Sequence, residues 1–172
     1  MTAFDTPAVG HSTKTQAIRF LDTLSFVRVA GAETDGRQSV VEMRLREDHA
    51  PPLHVHDDAD ETIHVVDGEV AVHTTEETRH LEAGSSVVLP RGEPHSLHAL
   101  TQATIVASTS PAGFEAFVTA VGEPTDERTV PTEPPTDAAI GRVNELAAEH
   151  DIRIVGPPPV GPDPDPDPDT DH

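Results

Sequence analysis

Apolar and polar positions alternate sharply over residues 39–47: Val41, Met43 and Leu45 fall on one side, and Glu42, Arg44 and Arg46 on the other. A period of two predicts a strand with one buried face. Residues 18–30 also read as extended, through Phe20, Leu21, Leu24, Phe26, Val27 and Val29, and a turn or loop follows over 31–36. Residues 61–66 and 69–74 read as two strands joined into a hairpin at Asp67-Gly68, because glycine tolerates positive φ. Shorter strands are expected at 79–81, 87–89, 95–100 and 103–108. Short strands separated by frequent turn signals predict an all-β sandwich or barrel.

After Ser110 the period becomes helical. Pro111 suits a first helical position, Phe114, Phe117, Val118 and Val121 share a face, and Gly122 stops the segment. Residues 123–135 read as a loop, and Thr136 can cap a second helix with Ile140, Val143, Leu146 and Ala147 on its apolar side. A short extended piece is expected at 152–155. The chain thus divides into a flexible polar leader (1–16), a β-barrel (17–110), a C-terminal helical extension (111–155) and a Pro/Asp-rich tail (156–172). The tail cannot bury apolar area, so it is expected to be disordered.

Composition narrows the functional classes. The 172 residues suffice for one domain with a real core, and cysteine is absent, which excludes disulfides, thiolate ligands and a cysteine nucleophile. Asp and Glu total 31 against 11 Lys and Arg, a formal net charge of −20, and Lys14 is the only lysine. Such a surface repels nucleic acid and anionic membranes, so neither is an expected partner. It also fits a halophile, whose molar salt shortens the range of self-repulsion. No apolar run is long enough to span a bilayer, and the first residues lack the pattern of a signal peptide, so a cytoplasmic location is expected.

The chemistry concentrates in two stretches. His54 and His56 stand two apart, which puts both side chains on one face of a strand, and Glu61 opens the next strand. His95 begins a later one, after Pro90, Gly92 and Pro94. Three imidazoles and a carboxylate converging on one point bind a divalent first-row metal: iron, manganese, nickel, cobalt or copper, with zinc also suited. Residues sharing the parity of the ligands are expected to line the pocket: Val41, Met43, Leu45, Ile63, Val65, Leu97 and Ala99. His49, His64, His73, His80, His98 and His150 are expected in structural or surface roles, by parity or location.

These stretches resemble the two signature motifs of the cupin superfamily. The first motif runs Gly, five residues, His-x-His, three or four residues, Glu, six residues, Gly; His54, His56, Glu61 and Gly68 match it, and Asp48 replaces the opening glycine. The second runs Gly, five residues, Pro-x-Gly, two residues, His, three residues, Asn; Gly84, Pro90, Gly92 and His95 match it, and Ala99 replaces the asparagine. The resemblance implies a mainly β jelly-roll barrel with the metal inside. It extends to small single-domain prokaryotic proteins grouped with quercetin 2,3-dioxygenase, to which the run Pro51-Pro52-Leu53-His54-Val55-His56 is similar. That likeness implies a metal-dependent dioxygenase acting on a small hydroxylated or enolisable compound. Glu61 would then be both ligand and catalytic base, and a homodimer the default assembly. A non-catalytic, metal-dependent binding module and an isomerase are the alternatives. With no Trp, no Tyr and five Phe, the chain has little with which to stack a flavonol.

Overall fold

The alternating segments become strands because each can bury one face only by packing against a second sheet. The protein is described by a computed structural model covering residues 6–11 and 14–159. In chain order the strands are β1 (Ala17–Phe20), β2 (Thr23–Val29), β3 (Ser39–Leu45), β4 (Leu53–His56), β5 (Asp60–Asp67), β6 (Glu69–Thr74), β7 (Thr78–Glu82), β8 (Ser86–Leu89), β9 (His95–Ala99) and β10 (Ala103–Ser110). Helix α1 (Phe114–Val121), strand β11 (Glu123–Thr125), helix α2 (Asp137–Leu146) and strand β12 (Ile152–Gly156) complete it. One sheet has the order β11-β1-β2-β3-β10-β5-β8 and the other β12-β4-β9-β6-β7. The result is a mainly β, cupin-like jelly roll.

The core lies between the sheets. Val41, Met43, Leu45, Ile63, Val65 and Ile105 from the first meet Val70, Val72, Leu97 and Ala99 from the second in one buried cluster. β3 follows the expected alternation along its whole length, buried and half-buried by turns. The leader and tail expected to be flexible lie partly outside the described residues; of the tail, 160–172 do.

Three local expectations are corrected. Asp67-Gly68 does not close a hairpin: β5 pairs with β10 and β8, whereas β6 pairs with β7 and β9 in the other sheet. Gly68 is the corner where the chain changes sheet. Its φ is +81°, and a Cβ there would clash with the Gln102 carbonyl oxygen. The turn signal was correctly located; the pairing is decided by which neighbour shares the buried face. The first helix starts at Phe114 with Gly113 as its cap, three residues after Pro111. The stretch read as a loop after Gly122 contains β11, an edge strand on β1 that its Pro124 tolerates.

Thr136 caps α2 as the sequence implied, its hydroxyl oxygen accepting from the Ala139 amide at 3.2 Å. Both helices pack beside the barrel, α1 giving Phe117, Val118 and Val121 and α2 giving Val143 to the main core. β12 joins the second sheet next to β4. The Arg153–Asp57 ion pair, 2.8 Å, braces that junction from outside. Among the described residues no helix is long and apolar enough to cross a membrane.

Candidate metal centre

His54 and His56 both lie on β4, and His54 stands directly opposite His95 of β9 in the strand register. Glu61 comes from β5 in the facing sheet, so three imidazoles meet one carboxylate across the barrel interior. One ligand atom from each of the four lies within 4.8 Å of the others. The ring centroids of His54 and His95 are 4.7 Å apart, those of His56 and His95 5.5 Å. His56, Glu61 and His95 are buried and His54 half-buried.

The outer ring nitrogens fix two of the tautomers. His54 Nδ1 donates to the Pro52 carbonyl at 2.8 Å, and His95 Nδ1 donates to the Glu93 carbonyl at 3.0 Å. Each ring therefore directs Nε2 inward, as metal-binding imidazoles do. His95 Nε2 is 3.0 Å from Glu61 Oε2, and His56 Nε2 is 3.7 Å from the same oxygen. His56 Nε2 is buried with no hydrogen-bond partner. An orphaned ring nitrogen costs free energy unless a cation or a donor reaches it. The donor set thus fits a divalent metal ion, which would satisfy His56 and relieve the crowding of three rings.

The electrostatics say the same. Burial, and then repulsion from His95 and His56, push His54 down to about 4. Burial also lowers His56, against the pull of Glu61. Burial alone would raise Glu61, but the charges of His56, His95 and His54 and the hydrogen bond from His95 hold it at about 2. Burial would lower His95, yet the hydrogen bond and charge of Glu61 carry it upward. Glu61 is kept anionic and His54 and His56 are held toward the neutral form, as a metal requires of its ligands, while His95 would give up its inward proton on binding.

The cluster opens into a cavity of about 80 Å³. Met43, Leu45, Ile63 and Leu97 line it. Val41, Val65 and Ala99 do not; all three are fully buried in the core. Parity selects the inward face of a strand but not the level along the barrel axis at which a side chain sits. Phe114 and Phe117 of α1, Val143 of α2 and Ile152 and Ile154 of β12 also form the wall, so the C-terminal segments help to build the cavity. The Phe114 ring meets His56 edge-on at 5.7 Å.

Of the other histidines, His64 is exposed and bonds Ser86 Oγ at 2.7 Å, and His73 and His98 stack 6.4 Å apart away from the ligands. His150 sits at the end of a short 3₁₀ turn, 5.6 Å from the Phe117 ring. His49 departs from expectation. It is 3% exposed, lines the cavity, and bonds Asp22 Oδ1 through Nδ1. Asp22 Oδ2 in turn accepts from Arg46 Nε at 2.7 Å. Sequence spacing hides this trio, because Asp22 lies in the β1–β2 turn, 27 residues before His49. The available signal was the pair of departures from the signature. Asp48 takes φ +65°, the left-handed conformation a glycine would supply, and its amide donates to the Ala99 carbonyl at 2.9 Å. The Ala99 amide donates to the His49 carbonyl at 2.9 Å, so the two departing positions are hydrogen-bonded around the turn that presents His49.

Residues 41–108 match the family model described as Cupin domain, and all four clustered residues fall within that span. No curated protein matches the chain. Among solved structures it is similar to KdgF from Halomonas sp., with TM-score 0.57, 17% identity, and coverage of 63% of this chain and 98% of that one. An RmlC-like cupin from Shewanella frigidimarina gives TM-score 0.57 and 17% identity over 64% of this chain and 96% of the other. Ectoine synthase from P. lautus gives TM-score 0.51 and 20% identity over 76% and 88%. At these identities the likeness concerns the fold.

Proposed function

We propose that the protein is a metal-dependent enzyme of the dioxygenase type, acting on a small hydroxylated or enolisable compound. In this reading His54, His56, Glu61 and His95 ligate a divalent transition metal. The observation that carries it is the buried, unpaired His56 Nε2 beside two imidazoles and a carboxylate, at the wall of an apolar cavity. When bound, such a metal supplies Lewis acidity and open positions for oxygen ligands.

The chain's own residues do the rest. The Pro52 and Glu93 carbonyls hold the His54 and His95 rings in place. Glu61 Oε2 faces His95 and His56, and Oε1 has no partner among the described residues, which leaves it free to take a proton from a substrate hydroxyl. Phe20, Phe114 and Phe117 keep the wall apolar and exclude water from that transfer. A cavity of about 80 Å³ suits a compound of a few heavy atoms better than the three rings of a flavonol. The acidic surface, 31 acidic residues with one lysine, fits work in strong salt.

The test is metal analysis of native, untagged protein, followed by oxygen uptake by protein loaded with iron, manganese, nickel, cobalt or copper across a panel of phenols and diketones. One metal per chain and uptake with at least one pairing are expected. Absence of uptake with every metal overturns the enzymatic reading in favour of a binding module.

A further inference from the structure

We propose that His49, held by Asp22, is the second polar recognition group of the same cavity, its Nε2 accepting a hydrogen bond from a hydroxyl of the bound compound. This deepens the functional reading above and rests on it.

Asp22 has both carboxylate oxygens committed, Oδ1 to His49 and Oδ2 to Arg46. A carboxylate accepts, so the proton between it and the imidazole sits on Nδ1, and in the neutral ring the lone pair is then on Nε2. Nε2 has no partner among the described residues. Its ring lines the cavity, and Nε2, unlike His56 Nε2, is not fully enclosed. A ring that is 3% exposed, in a cavity walled by Phe20, Leu45 and Ile105, is a costly place for an idle acceptor.

The backbone around the pair is also built for placement. Leu21, next to Asp22, lines the cavity at φ +53°, a conformation that a bulky side chain adopts at a cost. His49 is pinned from three sides: its amide donates to the Arg46 carbonyl at 3.2 Å, its carbonyl accepts from Ala99, and its ring is tied to Asp22. Strain and pinning at a cavity wall hold a group in one orientation.

The compound this selects has a short apolar body, one oxygen group for the four-residue cluster, and a hydroxyl for His49. A carbonyl or ether at the second position offers no proton and would face a lone pair. His49 and the four-residue cluster line the same cavity, so one compound held there can meet both.

The probe is 3-hydroxybutyrate, with 3-methoxybutyrate as the analogue that lacks the donor. ¹⁵N spectra of ring-labelled protein, zinc-loaded and metal-free, read Nε2 directly. The expected result is an Nε2 resonance of an unprotonated acceptor that moves on addition of 3-hydroxybutyrate and stays put with 3-methoxybutyrate. In zinc-loaded protein, His49→Leu lowers affinity for 3-hydroxybutyrate at least tenfold and removes the preference over the methyl ether. Asp22→Asn offers an amide donor to Nδ1, moves the ring proton to Nε2, and reduces or reverses that preference. An Nε2 resonance indifferent to 3-hydroxybutyrate in both forms overturns the proposal, as does His49→Leu protein with unchanged preference or with lost zinc. Failure of the metal reading shows separately, as wild-type protein that takes up no zinc.

Discussion

Two polar clusters border one cavity, the second through His49, and are finished to different degrees. In the His54, His56, Glu61 and His95 cluster, the carbonyls of Pro52 and Glu93 satisfy two outer ring nitrogens, while the inner nitrogens crowd one carboxylate and His56 Nε2 has no hydrogen-bond partner. In the Asp22, His49 and Arg46 cluster, both oxygens of the carboxylate are filled by donors within the chain. The first is electrostatically complete only around a cation. The second is complete by itself and leaves one nitrogen over. A cluster short of a cation suits an ion, and one with a spare acceptor suits a hydrogen-bond donor.

The largest expected effect would break the comparison at its first half. His95→Ala removes one of the four candidate ligands and the partner of Glu61, so metal affinity should fall by at least two orders of magnitude. With metal held about a thousandfold above its dissociation constant, wild-type protein gains about 4 kcal/mol, on the order of 10 °C in melting temperature for a chain of this size. His95→Ala should lose about two thirds of that increment or more, while His49→Leu keeps it. Differential scanning calorimetry with and without a chelator, alongside elemental analysis, measures both. Equal loss in the two variants would mean that the clusters act as one unit.

The next effect probes the self-sufficiency of the second cluster. Asp22→Ala strands a buried ring and Arg46, and breaking a buried pair costs about 3 kcal/mol. The loss should be the same with and without metal, read by urea unfolding. Its pH dependence has a definite sign. Burial alone would raise Asp22, but the hydrogen bonds from His49 and Arg46 bring it below the usual carboxylate value. A carboxyl whose folded pKa is depressed contributes stability that is fully present above its unfolded value, about 4, and is lost as pH falls through the folded one. Wild-type protein should therefore lose more stability than Asp22→Asn between pH 5 and pH 2. Parallel curves would remove the charge from the account.

The two clusters also differ in how far the sequence announces them. Ligand spacing is local: His54 and His56 share a strand face by parity, and Gly84, Pro90 and Gly92 mark the turns that deliver His95, so these four residues could be named without knowing which strands pair. Asp22 and His49 meet only because β2 and β3 pair in a register that sets Thr23 opposite Leu45, a long-range outcome that no short pattern encodes. Strand faces of β3 and β5 were legible for the same local reason. The corner at Gly68 was not, because a turn residue fixes where the chain bends and not the sheet it enters. Depth in the barrel escaped as well: Met43 and Val41 have equal parity, and only the first reaches the cavity.

The smallest effect sharpens the boundary between the clusters. Val143 of α2 lines both the main cavity and an adjoining recess formed by Leu21, Asp22, His49, Pro52 and Pro135. None of the four metal-cluster residues lines that recess. α2 therefore bears on the His49 side and only distantly on the ligands. Its N-terminus depends on the Thr136 hydroxyl, which satisfies the Ala139 amide. Thr136→Ala should cost about 1 kcal/mol, the usual worth of such a cap. It should also speed hydrogen exchange in the first turn of α2, as loss of a cap frays a helix locally. Metal stoichiometry should stay unchanged, and the His49 Nε2 resonance should broaden or shift as the Val143 wall loosens. If instead the metal cluster responds and His49 does not, α2 supports the ligands through the shared core, and the division of the cavity into two independently built halves fails.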